Sequence, residues 1–171
     1  MLVGQAPGKV ESAGGVPFSG RAGRTLFRWL ARAGIDEATA RDTIYISAVT
    51  RCYPGPHSSG RGDRVPTRDE QSSCADWLDK ELRIIRPEVL IPVGRLAIER
   101  FLSDIPLSEL IGTRQCVEHV GGTSVVIPLP HPSGASSWIH RGDNKILLDR
   151  AIVLIGEALD GQRHGRIRIG M

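Results

Sequence analysis

The sequence predicts an α/β fold, a three-layer αβα sandwich with a mostly parallel central sheet. Short apolar or β-branched runs, typical of strands, alternate with segments whose apolar residues have helical spacing. Some runs are apolar throughout, such as residues 89–93, which is typical of strands covered on both faces. In such sheets ligands bind beyond the carboxyl ends of the strands, so the loops that follow strands are the candidate site.

The first third of the chain predicts two strands and one helix. Residues 2–3 end a strand that enters a glycine-rich loop. Apolar residues recur at helical spacing over residues 25–33, and Gly34 follows as a helix stop. The β-rich run over residues 43–49 predicts the second strand. Residues 51–66 are dense in Gly, Pro and Ser and predict a loop.

A long helix is predicted to begin after Thr67, because Thr67 and Glu70 have the spacing of a capping box. Pro87 is expected to end it. The residues expected on its inward face are Cys74, Trp77, Leu78, Leu82 and Ile85.

The rest of the chain predicts three strands and two helices. The strands are expected over residues 89–93, 115–120 and 124–129, and the helices over residues 95–102 and about 145–159. We therefore expect one domain over residues 1–160, followed by a basic, disordered tail over residues 161–171.

Size and composition indicate an ordinary globular protein. The chain has 171 residues, of which 40% are hydrophobic and 24% charged, so it can bury a proper core. It shows no apolar run of the ~20 residues that span a bilayer and no visible secretory leader. Three cysteines without regular spacing argue against a disulfide framework. We expect a cytoplasmic monomer that does not contact membranes.

The basic residues are nearly all arginines, with three lysines among the 22 Lys and Arg and a formal net charge of +3. Arginine matches phosphate oxygens well. A GC-rich genome produces the same bias without any role in binding. Only arginines gathered on one face would favour nucleic-acid binding.

The most informative segment is a glycine-rich run directly after the first predicted strand. Among its glycines stand an amide, Gln5, a carboxylate, Glu11, and one aromatic ring, Phe18. Glycine suits a backbone that turns tightly or approaches a ligand closely. The run contains neither GxxxxGK[ST] nor GxGxxG, so no nucleotide cofactor is expected. The six glycines within the first 23 residues are Gly4, Gly8, Gly14, Gly15, Gly20 and Gly23.

Each of the three side chains has a functional and a structural interpretation. Glu11 can orient or deprotonate a water, or it can simply be solvated. Gln5 can hydrogen-bond a base edge or a water. Phe18 can stack on a base, or it can anchor the loop in the core.

A second candidate segment follows the last predicted strand. His131 lies between two prolines, which fix the backbone and hold the imidazole in one direction, as electrophilic catalysis requires. The alternative is a structural loop histidine. Ser133, Gly134 and Ser136 offer small side chains and free amides that can grip a phosphate, or they form a flexible turn.

The cysteines do not form a recognisable metal motif. Cys52, Cys74 and Cys116 lack the spacing of a zinc site. An iron–sulfur site usually needs four thiolates, and a Cys–His nucleophile pair has no supporting context.

Together these motifs resemble the uracil-DNA glycosylase superfamily, most closely its iron–sulfur branch, family 4. The similarity runs from Val3 to about Asn144, with the motifs in the family's order. The matching segments are GQAPGKVE at residues 4–11 for GEAPGxxE, GVPFSGRAG at 15–23 for GxPFxGxAG, YISAVTRCYP at 45–54 for YITNxxKCxPP, and HPS at 131–133.

The resemblance implies hydrolysis of the N-glycosidic bond of a deaminated base, uracil first, flipped out of DNA during base excision repair. Glu11 or Gln5 would place or activate the water, and His131 would stabilise the departing base. Phe18 would stack on the base. Ala6 and Ala48 would line the base pocket, and Ser133, Gly134 and Ser136 would hold the DNA backbone, in single- or double-stranded DNA.

Three departures from the family pattern change what is expected. Gln5 stands where the family has Glu and cannot take a proton from water. Ala48 stands where the family usually has the Asn that reads uracil, which leaves the removed base open. Cys52 and Cys74 match only half of a four-cysteine site. We therefore expect no cofactor from these residues, and a 4Fe–4S cluster only if upstream cysteines exist.

The alternative is a catalytically weak relative that binds DNA and captures lesions or single-stranded DNA. A small-molecule α/β hydrolase is disfavoured, because the sequence has no GxSxG elbow and no Ser-His-Asp order.

Overall fold

The computed structural model of the protein describes residues 1–60, 62–133 and 137–163. Within these ranges five strands form one sheet in the order β2-β1-β3-β5-β4. β4 is antiparallel to β5, and the other neighbours are parallel, so the predicted α/β class is confirmed. The strands are β1 (Leu2–Gly4), β2 (Ile46–Ala48), β3 (Val89–Pro92), β4 (Gln115–His119) and β5 (Gly122–Val126).

Helices cover both faces of the sheet. The described ranges contain α1 (Lys9–Gly14), α2 (Arg21–Arg32), α3 (Glu37–Thr43), α4 (Arg68–Ile85), α5 (Arg95–Glu99), α6 (Leu107–Leu110), α7 (Asn144–Arg163) and a 3₁₀ turn at Ser137–His140. α2 packs with α3 and α7, and Arg100 just after α5 pairs with Asp79 on α4. Right-handed crossovers place these two groups on opposite faces, since the chain reverses direction across the sheet after β2.

The core lies between the sheet and these helices. All four residues of β3 are buried, as expected for a strand covered on both faces. The largest fully buried side chains are Leu2, Leu26, Leu30, Leu78, Leu82, Leu90, Ile91, Ile98, Leu110, Ile111, Ile127 and Leu129.

The start of α4 is confirmed, but its predicted inward face is partly wrong. The side chains of Thr67 and Glu70 each accept a hydrogen bond from the other's backbone N–H, the predicted capping box. Leu78 is buried, whereas Trp77 is 59% exposed and Ile85 39% exposed. The buried stripe is narrow, and Trp77 lies beside it, where the Lys80 ammonium sits 5.2 Å from its ring centroid.

The other differences concern short elements and boundaries. α1 and α3 were not predicted, because α1 buries no residue and α3 buries only Ala40. Thr43 was predicted to begin the second strand, but it is the last residue of α3. α7 continues to Arg163, so the first three residues of the predicted tail are helical, and residues 164–171 lie outside the described residues. None of the helices in the described part of the chain is long and apolar enough to cross a bilayer.

Candidate active site

The two predicted site segments leave the sheet at the same end. Gly4 and Ala48 are paired at the carboxyl ends of β1 and β2. Beyond β3 and β5 the pairing continues, because the Gly94 N–H donates to the Leu129 carbonyl oxygen at 2.9 Å. The ring of His131 then lies against Gly94, where an added Cβ would meet His131 Cδ2 at 3.0 Å. The loops after these four strands therefore leave the same edge of the sheet, and the space between them is called the cleft below.

Phe18 lies over the end of β1. A Cβ built on Gly4 would come within 2.9 Å of Phe18 Cζ, so the absence of a side chain at Gly4 makes room for the ring. Phe18 has a φ of 53°, a costly conformation for a bulky residue. The Arg41 guanidinium donates to the carbonyl oxygens of Pro17 and Phe18 at 2.9 and 3.3 Å, which stabilises this turn.

Glu11 joins the two halves of the glycine-rich segment. Its Oε1 accepts the backbone N–H of Gly20 at 2.9 Å, and Gly20 is the N-cap of α2. Its Oε2 packs against Gly8, 2.6 Å from where a Cβ would stand. The carboxylate is therefore already engaged by the protein's own backbone, which is a structural role beside the predicted catalytic one.

Gln5 faces a different neighbour. Its Nε2 lies 3.5 Å from the backbone oxygen of Arg64, at the long limit of a hydrogen bond. The Gln5 amide thus contacts the loop over residues 51–66.

Asp63 enters the cleft from that loop and was missed by the sequence analysis. Its Oδ2 lies beside Gly8, 3.2 Å from the position of an added Cβ. Its negative charge also acts on His131 and on the hydroxyl of Tyr53. No spacing signal marks a single acidic residue among glycines, prolines and serines; only the fold of the loop brings Asp63 here.

That fold is a small hairpin-like turn. Pro56 and Asp63 form an antiparallel bridge. On either side of the bridge, the His57 N–H donates to the Gly62 oxygen at 2.9 Å and the Arg64 N–H donates to the Gly55 oxygen at 3.0 Å. The backbone of the turn is therefore fixed on both sides of Asp63.

His131 has a defined tautomer. The backbone N–H of Ser133 donates to His131 Nδ1 at 3.2 Å, so Nδ1 accepts and the ring proton of the neutral imidazole stands on Nε2. Burial lowers the pKa of His131 below its ordinary value of 6.5, against the opposing effect of the Asp63 charge. His131 is thus a neutral imidazole at pH 7 with Nε2–H available as a donor.

The same hydrogen bond bears on the predicted DNA-backbone residues. The Ser133 backbone N–H already donates to His131. The hydroxyl of Ser133 is therefore the group that remains for a phosphate. Gly134 and Ser136 lie outside the described residues.

β2 holds Ala48 in place through a polar network with α4. Glu81 accepts from the hydroxyls of Ser47 and Tyr45 at 2.6 and 2.8 Å, and the Arg51 guanidinium pairs with Glu81 at 2.5 Å. Ala48 is half-buried at the end of this strand, and Ala6 is half-buried in the loop after β1. Both present only a methyl group, so neither side chain can hydrogen-bond a base.

Comparison with known proteins identifies the family. A sequence model of the Uracil DNA glycosylase superfamily matches residues 1–158. The chain belongs to this superfamily. The resemblance seen in the motifs is therefore confirmed, and the cleft lies in a uracil-DNA-glycosylase-type domain.

Individual relatives within the superfamily agree. The chain is 34% identical over 133 residues to a type-4 uracil-DNA glycosylase of Thermotoga maritima, covering 78% of this chain and 64% of that protein. It is 34% identical over 138 residues to that of Archaeoglobus fulgidus, with the same coverage. A type-5 uracil-DNA glycosylase of Thermus thermophilus is 34% identical over 119 residues, 63% of this chain and 51% of that protein. The chain spans 64% of the length of these two type-4 relatives.

The cysteines of this superfamily member do not complete a cluster site. Cys52 is exposed just after β2, Cys74 is half-buried in α4, and Cys116 is exposed in β4, and β2 and β4 are opposite edges of the sheet. Across the described ranges, no three His, Cys, Asp or Glu residues are arranged to hold a metal ion. These three cysteines therefore cannot by themselves supply the four ligands of such a cluster.

Three arginines do gather on one face of this glycosylase-type domain. Arg21, Arg24 and Arg28 line a surface hollow of about 660 Å³ on α2, together with Asp36 and Glu37. Positions three and four residues apart share one side of a helix. None of the predicted site residues lines the hollow, although α2 begins just after the Phe18 turn.

Proposed function

We propose that the chain hydrolyses the N-glycosidic bond between deoxyribose and a deaminated base, uracil first, in DNA. The observation that carries the proposal is the His131 geometry in a cleft of a uracil DNA glycosylase superfamily domain. The names of the relatives, all uracil-DNA glycosylases among those given above, support the reaction and its substrate.

In this mechanism the base leaves as an anion and needs a hydrogen-bond donor at a carbonyl oxygen. A neutral imidazole with a fixed Nε2–H provides that donor without bringing a charge that must be desolvated. Donors of this kind are preorganised for charge that develops in the transition state, and each is worth about 10²–10³ in rate.

The ring of Phe18 would stack on the flipped base, an interaction worth roughly 1–3 kcal/mol. Its strained φ and its fixation by Arg41 suit a ring that has to stand ready at the end of β1. Backbone strain of this kind clusters at functional sites, so it supports this role for Phe18, whose ring also packs against the core.

Ala48 would leave the edge of the base to be read by backbone groups. Since a methyl group neither donates nor accepts hydrogen bonds, discrimination between uracil and other deaminated bases would be weaker than with an amide side chain. We therefore include hypoxanthine and xanthine among the substrates to be tested.

DNA would be held chiefly through its phosphates, with Arg21, Arg24 and Arg28 on α2 as one contributing surface. Such binding is independent of sequence and weakens with salt through counterion release. The Ser133 hydroxyl would hold a phosphate next to the reacting nucleotide.

The test is single-turnover release from single- and double-stranded oligonucleotides that contain one uracil, hypoxanthine or xanthine. We expect the native protein to release uracil and His131→Ala to release it about 10²-fold more slowly with DNA affinity nearly unchanged. His140→Ala, an exposed histidine of the 3₁₀ turn, is the matched control. DNA binding without release from any of the three substrates would favour the catalytically weak, DNA-capturing alternative.

A further inference from the structure

We propose that Asp63 is a further catalytic residue, whose carboxylate holds and deprotonates the water that attacks C1′ of the flipped nucleotide. The inference rests on the proposed function and names a residue of the same site. It follows from where the loop between β2 and α4 carries this carboxylate.

The position of the Asp63 carboxylate favours this role. Asp63 Oδ2 lies beside Gly8 of the loop after β1, while its charge is felt by His131 of the loop after β5. The carboxylate therefore lies beside the first of the two segments that form the cleft and acts electrostatically on the second. Its side chain is exposed, so water reaches it directly.

The backbone around Asp63 is held in place. The bridge between Pro56 and Asp63 and the hydrogen bonds that flank it hold the backbone. The hydroxyl of Tyr53 faces the same carboxylate; burial, and then the influence of Asp63, raises the pKa of Tyr53, which stays a neutral hydroxyl. A carboxylate oriented in this way keeps lone pairs free for a water.

The neighbouring cation, Arg64, does not neutralise the Asp63 carboxylate. Arg64 donates to both carboxylate oxygens of Glu70, at 2.8 and 2.6 Å. This bidentate pair at the start of α4 draws the guanidinium onto Glu70. Asp63 thus remains an available proton acceptor.

The two polar groups of the glycine-rich segment, Gln5 and Glu11, are less suited to the task. Gln5 carries an amide, which can orient water but cannot take its proton. Glu11 accepts from Gly20 with one oxygen and packs on Gly8 with the other. Of the three, only Asp63 combines a carboxylate with an open side.

The step balances with water as the only co-reactant. The bond between C1′ and the base nitrogen breaks, and its electron pair leaves with the base, whose carbonyl oxygen accepts the hydrogen bond from His131 Nε2. The water oxygen forms the new bond to C1′, and its proton passes to the Asp63 carboxylate. That proton then goes to the base anion or to solvent, which restores the enzyme.

The experiment compares Asp63→Asn with the native chain. Asparagine keeps the shape of the side chain but takes no proton, so we expect single-turnover uracil release to fall about 10²-fold or more, with DNA affinity and the melting temperature nearly unchanged. Asp42→Asn is the matched control, because it makes the same chemical change on α3, which precedes β2 at the edge of the sheet away from the cleft. This variant should release uracil at the native rate.

A second variant separates chemistry from shape. Asp63→Ala leaves space for a small anion, and added formate should raise its release rate in proportion to concentration while leaving Asp42→Asn unaffected. Release by Asp63→Asn within about threefold of native, or Asp63→Ala release that formate does not raise, would overturn the inference and leave the proposed function standing. A native chain that releases no uracil would overturn both.

Discussion

His131 shows how one side chain obtains its protonation state from its neighbours. The Ser133 N–H occupies Nδ1 and burial disfavours the imidazolium, so the neutral Nε2–H form is selected. The contact with Gly94 leaves no room for a side chain beneath the ring. Each of these contacts comes from backbone atoms, which makes the tautomer a property of the fold around β3 and β5.

The tautomer can be measured directly. We expect nitrogen NMR of the free protein to show a protonated Nε2 and an unprotonated Nδ1 for His131 at pH 7, because Nδ1 accepts a hydrogen bond. The titration midpoint should lie below 6.5, since burial lowers the pKa. His131→Ala assigns the signal. A protonated Nδ1, or a midpoint above 6.5, would contradict this account.

At the scale of elements, the connection between α1 and α2 depends on one hydrogen bond and one close backbone contact. Glu11 ties α1 to the N-cap of α2, and Phe18 turns back so that its carbonyl oxygen lies against Gly23 in the first turn of α2. A Cβ at Gly23 would stand 1.6 Å from that oxygen. The Phe18 turn therefore requires glycine at position 23.

We accordingly expect Gly23→Ala to destabilise the protein by about 1–3 kcal/mol or more and to displace Phe18, with a loss of uracil release. Gly14→Ala is the matched control, since nothing lies within 4 Å of its Cβ position; in a helix it should stabilise by about 0.5–1 kcal/mol. Urea unfolding of both variants measures the difference. Equal stabilities would show that the turn adapts to a side chain.

The elements that the sequence predicts well are those with a strong apolar pattern. β3 is recognisable because all its residues are apolar, and α4 because of its capping box. α1 has no buried residue and hence no periodicity to detect. The prediction for Trp77 is wrong because, on a helix, a position next to a narrow buried stripe has nearly the same spacing along the sequence as a position within it. The Trp77 ring contacts the Lys80 ammonium instead of the core.

The candidate site likewise contains residues that the sequence predicts and residues that it does not. Gln5, Phe18 and His131 were recognisable because their segments follow strands, and parallel strands bring such segments to one edge. Asp63 was not, because its position depends on hydrogen bonds within a long loop. The second role of Glu11, as a partner of Gly20, was equally invisible, since both residues lie in one glycine-rich segment that permits many conformations.

At the scale of the whole molecule, folding shifts two sets of titratable groups. Burial lowers the pKa of His131 and of His119, the latter also through the charge of Arg100. Among the carboxylates, the hydrogen bonds from Arg64 lower the pKa of Glu70 to about 2. Burial alone would raise the pKa of Glu81, but its three hydrogen-bond donors outweigh burial, so the pKa of Glu81 is lowered as well.

These shifts predict that stability is lost in two steps on acidification. Below about pH 6.5, the histidines of the unfolded chain bind protons that His131 and His119 in the folded chain do not, so the free energy of unfolding falls as pH falls. Below about pH 4.5, the unfolded carboxylates take up protons while Glu70 stays ionised in the folded state until far lower pH, which produces the second step. Urea unfolding at constant ionic strength from about pH 8 to about pH 3 measures both. His131→Ala should weaken the first step and leave the second intact. If the free energy of unfolding of the native chain stays flat or rises as the pH falls from 7 to about 5, the two histidines are not buried in neutral form.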